Sequence, residues 1–185
     1  MPPWWARRPA RVLARSERLL LSPQRRSDWR AMAEAFEDDE LLEWQGWTDS
    51  HASARVEAVR RGLHRSFRGF PANLTLRAPD TREYVGTYVL SWHGLDITTD
   101  EVILGWWLAA RHRGKGLGTE SLRLTLDAIR DRSDIATVRI GTRHDNTRVL
   151  GQLRAVEAEF VEERPTPLPD GSEPLGKWFV VRISR

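Results

Sequence analysis

The stretch Trp106-Trp-Leu-Ala-Ala-Arg-His-Arg-Gly-Lys-Gly-Leu-Gly-Thr119 constrains this chain more than any other. An apolar run, Val102 to Leu108, leads into it. A helical pattern to about Arg130, with Leu122, Leu126 and Ile129 on one face, leads out of it. Gly114, Gly116 and Gly118 stand between. A strand, a glycine loop and a helix N-terminus in that order turn successive backbone N–H groups into one concavity, where the helix dipole adds partial positive charge. Arg111, Arg113 and Lys115 add full charges. The ligand expected is a phosphate or pyrophosphate. The plainer alternative is a tight strand-to-helix turn carrying a solvated basic loop.

Spacing separates the families that share this physics. A P-loop needs Gly-x-x-x-x-Gly-Lys-Ser/Thr, but Lys115 is followed by Gly116 and the first glycine position is Ala109. A dinucleotide fingerprint needs Gly-x-Gly-x-x-Gly, and its third position is Thr119. Arg111-x-x-Gly114-x-Gly116 is the pattern that remains.

The chain has 185 residues, enough for one domain with a full core. It has no cysteine, so disulfides, thiol nucleophiles and Cys-based metal sites are excluded, and no other metal-ligand spacing is present. No run of about 18 apolar residues predicts a membrane span, and no long apolar segment follows the first charges as in a secretory signal. A cytoplasmic location is expected. Net charge is +3, and the excess sits early: residues 1–30 hold Arg7, Arg8, Arg11, Arg15, Arg18, Arg25, Arg26 and Arg30 against Glu17 and Asp28. Residues 1–16 read as a flexible Arg/Pro-rich arm ahead of one domain, 17–185. The arm is a candidate contact for nucleic acid or a ribosome surface, with a solvated lead-in as the plainer reading. Trp4 and Trp5 could dock on the domain or on a partner chain, as in a homodimer.

In order, the pattern predicts a strand over 18–22, a helix to about Glu37, the aromatic turn Trp44-Gln-Gly-Trp47 and a second helix to about Arg68 capped by Asp49 or Ser50. Val56, Val59 and Leu63 form that helix's apolar face. Asp38, Asp39 and Glu40 follow the first helix at the wrong end for its dipole. They read as a solvated turn or as the face for a cationic partner. Strands follow over 73–77, 83–92 and 101–108, then the glycine loop and its helix. Next come a strand over 135–142, a helix opened by Asn146 or Thr147, a short strand at 160–163, a proline-rich loop with Asp170-Gly171, and a last strand at 178–183. Two helices before the meander exclude a doubly wound dinucleotide fold, which alternates from the start.

This order, with the loop motif, resembles the GCN5-related N-acetyltransferases, whose acetyl-CoA loop reads Gln/Arg-x-x-Gly-x-Gly/Ala. The likeness covers roughly residues 17–184. Ile103-Leu-Gly-Trp-Trp-Leu108 and Arg113-Gly-Lys-Gly-Leu-Gly-Thr-Glu-Ser-Leu122 resemble the branch that acetylates N-terminal amines of ribosomal proteins, the RimJ/RimL-like enzymes. The resemblance implies an α/β (α+β) fold: a mixed sheet of about seven strands, four main helices and a splayed central strand pair. It implies acetyl-CoA as co-substrate, no metal, and an amine acceptor, either a protein N-terminus or a small molecule. The backbone of Trp106, Trp107 and Leu108 would pair with the pantetheine amides. Arg113, Gly114, Lys115, Gly116, Leu117 and Gly118 would wrap the pyrophosphate. Asn146 matches the family Asn on the pantetheine arm, and also reads as a helix cap.

The chain departs from that pattern at several places, among them Glu159-Phe160, which stands shifted by about two residues where the family has Gly-Phe. The branch's strand Glu falls at Ile103, leaving Glu101, two residues upstream on the same strand face, as the catalytic base candidate, with His93 second. Val149 replaces the Ser/Ala three positions after Asn146. The only tyrosines are Tyr84 and Tyr88, so the tyrosine that often donates a proton to the leaving thiolate is missing. These departures leave a second reading, a catalytically impaired acyl-CoA-binding or interaction protein on the same fold.

Overall fold

The computed structural model describes residues 12–63, 66–67, 70–92, 100–166 and 168–183. Trp4, Trp5, most of the expected arm and His93 lie outside the described residues.

The first strands are β1 (Ala14–Arg15) and β2 (Leu20–Pro23), an antiparallel hairpin. β1 thus falls inside the stretch read as arm, and Leu13 before it is 6% exposed. A 3-10 turn at Arg26–Asp28 leads to α1 (Trp29–Ala35), α2 (Asp39–Gln45) and α3 (Asp49–Arg61). Then come β3 (Ser66–Phe67), β4 (Phe70–Pro71), β5 (Asn73–Arg77), β6 (Tyr84–Ser91) and β7 (Glu101–Leu108). The second half runs α4 (Leu117–Arg132), β8 (Thr137–Arg143), α5 (Thr147–Ala155), β9 (Glu159–Pro165) and β10 (Leu175–Arg182).

Eight strands form one mixed sheet in the order β1-β2-β5-β6-β7-β8-β10-β9, with β3 and β4 a separate small hairpin. Every described pairing is antiparallel except β7 with β8. The sheet has one strand more than expected, because β1 adds an edge.

The extra helix is α2, and it corrects the reading of the three acids. Asp39 and Glu40 lie in its first turn, where carboxylates favour the dipole. Gly46, at φ +60, stops α2 in the left-handed region. A side chain there would also collide with Leu168. α3 begins after Thr48, one residue earlier than expected, and Gly62 at φ +69 ends it. Leu63 therefore falls off the helix and is 63% exposed, whereas Val59 is buried.

Each sheet face carries its own core. One packs Leu122, Leu126 and Ile129 of α4 and Leu153 of α5 against Leu74, Tyr88, Leu104 and Ile140. The other gathers Met32, Phe36, Leu41, Trp47 and Val59 around Trp107. Alternation along β7 divides its two tryptophans between the faces. Trp106 stacks on Tyr88 at 5.4 Å, while Trp107 meets Phe36 and Trp47, each at 5.4 Å.

Candidate active site

β7 and β8 pair only at Glu101–Thr137, Val102–Val138 and Ile103–Arg139. Beyond that point β7 stays with β6 as far as Leu108–Gly86, and β8 stays with β10 as far as Arg143–Gly176. The two strands must therefore part, and a slot opens between them. A cavity of about 630 Å³ fills it, lined by β7 from Ile103 on, the glycine loop, the ends of β8 and β10, α2 and α5.

The register decides which peptides face the slot. In a strand, N–H and C=O of one residue point to the same edge, and neighbours alternate. Ala109 N–H donates to the Val85 carbonyl, so the peptide groups of Ala109 and Trp107 face β6. Those of Trp106 and Leu108 face the slot, where Gln45 Nε2 donates to the Trp106 carbonyl (3.4 Å) and Arg113 Nε to the Leu108 carbonyl (3.0 Å). Of the three residues expected to present backbone groups, Trp106 and Leu108 do so. Trp107 instead turns its peptide to β6 and its indole into the core, donating to Tyr84 Oη at 3.0 Å.

After β7 a 3-10 turn at Ala110–His112 leads into the glycine loop. Gly114 and Gly116 have φ of +71 and +74, a region other residues enter only with strain. Nothing lies within 4 Å of a Cβ built on Gly114, and only Arg18 Nη2, at 3.9 Å, approaches one on Gly116. The space over the loop is open, as a cradle for phosphate oxygens at the start of the 16-residue α4 requires. Leu117 is the exception among the loop residues: it is buried, as the first residue of α4. Gly118 serves helix packing, since a side chain there would meet Gln152 of α5 at 2.5 Å.

The hairpin β1–β2 braces this loop. Arg18 Nη1 donates to the Lys115 carbonyl at 3.0 Å, and Arg18 Nε and Ser16 Oγ donate to the Glu120 carboxylate at 2.8 and 2.5 Å. Partial burial of Glu120 works to raise its pKa, but the hydrogen bonds from Ser16 and Arg18 and the arginine's charge outweigh it, so the carboxyl titrates below its ordinary value. Nothing local in the sequence marks Arg18, which acts across 102 positions.

Arg113 is already engaged. Besides Leu108, its guanidinium reaches Asp38 Oδ2 (2.6 Å) and Glu40 Oε2 (3.1 Å), and Arg148 Nη1 reaches Glu40 Oε1 (2.7 Å). The cationic partner of these acids is thus internal. Asn146 caps α5, its side chain accepting from Val149 N–H at 3.2 Å, and also lines the cavity.

Glu101 is not brought to the cavity. It sits where β7 and β8 are still paired, with its carboxylate in an ion pair with Arg139. Ile103, at the family's acid position, does line the cavity. Tyr84 and Tyr88 do not; both are buried, and burial pushes both phenols above their ordinary pKa. Among the described lining residues the carboxylate is Glu40 and the imidazole is His112, whose Nε2 lies 3.3 Å from Glu83 Oε1. Aromatic rings also line the cavity: Trp44, with Arg143 4.6 Å over its ring, Trp106, Trp107 and Trp178.

A parted strand pair with peptides on its edge thus stands beside an open two-glycine loop at a helix N-terminus. The family model "Acetyltransferase (GNAT) domain" matches residues 18–157. The chain belongs to this family and is an acetyl-CoA-dependent N-acetyltransferase. No curated protein sequence matches it. Solved structures share its fold. An acetyltransferase of the GNAT family from Bacillus anthracis superposes with TM-score 0.73 at 15% identity, over 93% of this chain and 99% of that one. The yncA protein of Salmonella typhimurium, solved with its cofactor acetyl-CoA, gives 0.68 at 17% over 90% and 95%. Mycobacterium smegmatis RimJ, in complex with CoA-disulfide, gives 0.65 at 20% over 95% and 86%. Among the described residues no helix is long and apolar enough to cross a membrane, and no cluster of metal-ligating side chains occurs.

Proposed function

We propose that this enzyme acetylates the terminal amine of a protein or peptide by positioning it against the cofactor rather than by a dedicated side-chain base. The observation that carries the reading is the slot edge, where the peptide groups of Trp106 and Leu108 face the opening beside the Gly114–Gly116 cradle. Acetyl-CoA supplies an acetyl group activated as a thioester. The backbone N–H groups of the loop would hold its phosphates, and those of Trp106 and Leu108 would orient the arm. A slot-facing N–H is also the group able to polarise a carbonyl without reorganising. Holding two reactants in line contributes up to about 7–11 kcal/mol to lowering a barrier.

The acceptor's proton then leaves to solvent. An α-amine has a pKa of about 7.7–8.0, so a useful fraction is neutral at pH 7. A protein N-terminus is favoured over a small amine by the likeness of Ile103–Leu108 and Arg113–Leu122 to the RimJ/RimL-like pattern. Two relatives of the same fold bear matching names: RimL, a ribosomal L7/L12 alpha-N-protein acetyltransferase, and a ribosomal-protein-S5-alanine acetyltransferase from Vibrio fischeri. The second reading, a protein that binds acyl-CoA without turning it over, is favoured by the lack of a tyrosine or of Glu101 among the lining residues.

Thiol release from acetyl-CoA, measured across short peptides with free N-termini and across small polyamines and aminoglycosides, separates these readings. Faster release with the peptides is expected. Release with the small amines alone would overturn the acceptor assignment, and tight binding without release would favour the second reading.

A further inference from the structure

The side chains of α2 contact the slot in two places that cofactor binding needs. Glu40 bridges two arginines at its mouth, with Oε2 3.1 Å from Arg113 Nη1 and Oε1 2.7 Å from Arg148 Nη1. A carboxylate spanning two guanidiniums makes the same charge-assisted contacts as a phosphate oxygen pair. Five residues on, Gln45 puts its carboxamide N–H on the Trp106 carbonyl at 3.4 Å, on the strand edge where an amide N–H of an extended arm would donate. Both residues line the cavity, as do Arg113 and Arg148. Arg148 is otherwise exposed, its side chain 69% accessible, and so has room to turn between two anions.

We propose that α2 is a built-in competitor for the cofactor slot, Glu40 taking the arginines that phosphate oxygens would take and Gln45 taking the strand carbonyl that an amide would take. This rests on the acetyl-CoA reading of the slot. Cofactor entry displaces the Glu40 and Gln45 side chains, loosens α2 and shifts Trp44 of the same helix, which also lines the cavity. Arg148, outside the family motif, becomes a phosphate ligand once Glu40 lets go.

The sign of a single substitution tests this. If Glu40 only braces the loop arginines, Glu40→Gln loosens them and weakens CoA binding. If it competes, Glu40→Gln tightens binding, by about three- to tenfold because exposed ion pairs are individually weak. Titration calorimetry of CoA into wild type and Glu40→Gln, at equal ionic strength, reads the difference. Phosphate-free S-acetylpantetheine should bind both proteins alike, while Gln45→Ala should bind it more tightly. In hydrogen exchange, the amides of α2 should exchange faster with CoA present. Equal or weaker CoA binding by Glu40→Gln, or slower exchange in α2, would overturn the proposal. Failure of wild type itself to bind CoA would instead strike the cofactor reading on which it rests.

Discussion

On the loop side of the cleft, two positive-φ glycines two positions apart, Gly114 and Gly116, fix the run of main-chain N–H groups. Elsewhere in the cavity lining, Trp44, Trp106 and Trp178 come from α2, β7 and β10, and arginines cover two of them. The loop side depends on backbone conformation, which a short sequence specifies. The aromatic lining depends on where three distant elements come together. The first suits the part proposed for it, the unchanging phosphates of the cofactor. The second can vary without disturbing it, as expected where an acceptor is chosen.

Substitutions can sharpen that contrast. The largest effect on stability is expected at Trp107, 5% exposed and packed between Phe36 and Trp47. Trp107→Ala should cost about 3–5 kcal/mol, read by chemical denaturation, because it empties the core beneath α1 to α3. A loss below about 1 kcal/mol would mean that core is not what anchors the helices. Asn146→Ala removes the α5 cap and should cost about 1 kcal/mol. A much larger fall in CoA affinity than in stability would show that Asn146 also reaches the ligand.

Glu120→Gln tests the brace behind the loop. The carboxyl's pKa is lowered in the folded state, so its contribution is present above the ordinary value of about 4.3 and is lost as pH falls through the lowered one. Wild type should exceed the variant by about 0.2–1 kcal/mol near neutral pH, and the two melting curves should converge in acid. A gap that persists at low pH would assign the effect to packing instead. The smallest effect is expected at Glu101. Glu101→Gln should leave the shape of the kcat/KM pH profile unchanged, rising through the acceptor's own pKa in both proteins. A defect confined to neutral pH and relieved at high pH would restore Glu101 as the base, since general-base catalysis contributes about 10²–10⁴-fold.

The loop side was largely legible. β7 runs Glu101–Leu108 as its apolar run indicates, α4 starts two residues before Thr119, and Gly114 and Gly116 hold the conformations their spacing implies. Asn146 caps its helix as its residue type suggests. The parting of β7 and β8 came from family resemblance, since no local pattern encodes where a parallel pair stops.

What escaped was long-range. Asp38 and Glu40 looked like a solvated turn because the arginines that neutralise them lie 73 and 108 positions from Glu40. Once paired they can open α2 beside a basic loop. β1, two residues long, carries no period to detect. Glu101 looked well placed because it shares a face with Ile103, but two residues along a strand separate the paired end from the open one.

Titration of acetyl-CoA into wild type and Gly116→Val addresses the central claim most directly, that the parted strands and the two-glycine cradle are the cofactor slot. Forcing a β-branched residue to φ +74 stores about 1–3 kcal/mol of strain or distorts the loop. Affinity should therefore fall about 10- to 100-fold while the far-ultraviolet spectrum stays that of the wild type. Equal affinity in the two proteins would contradict the account.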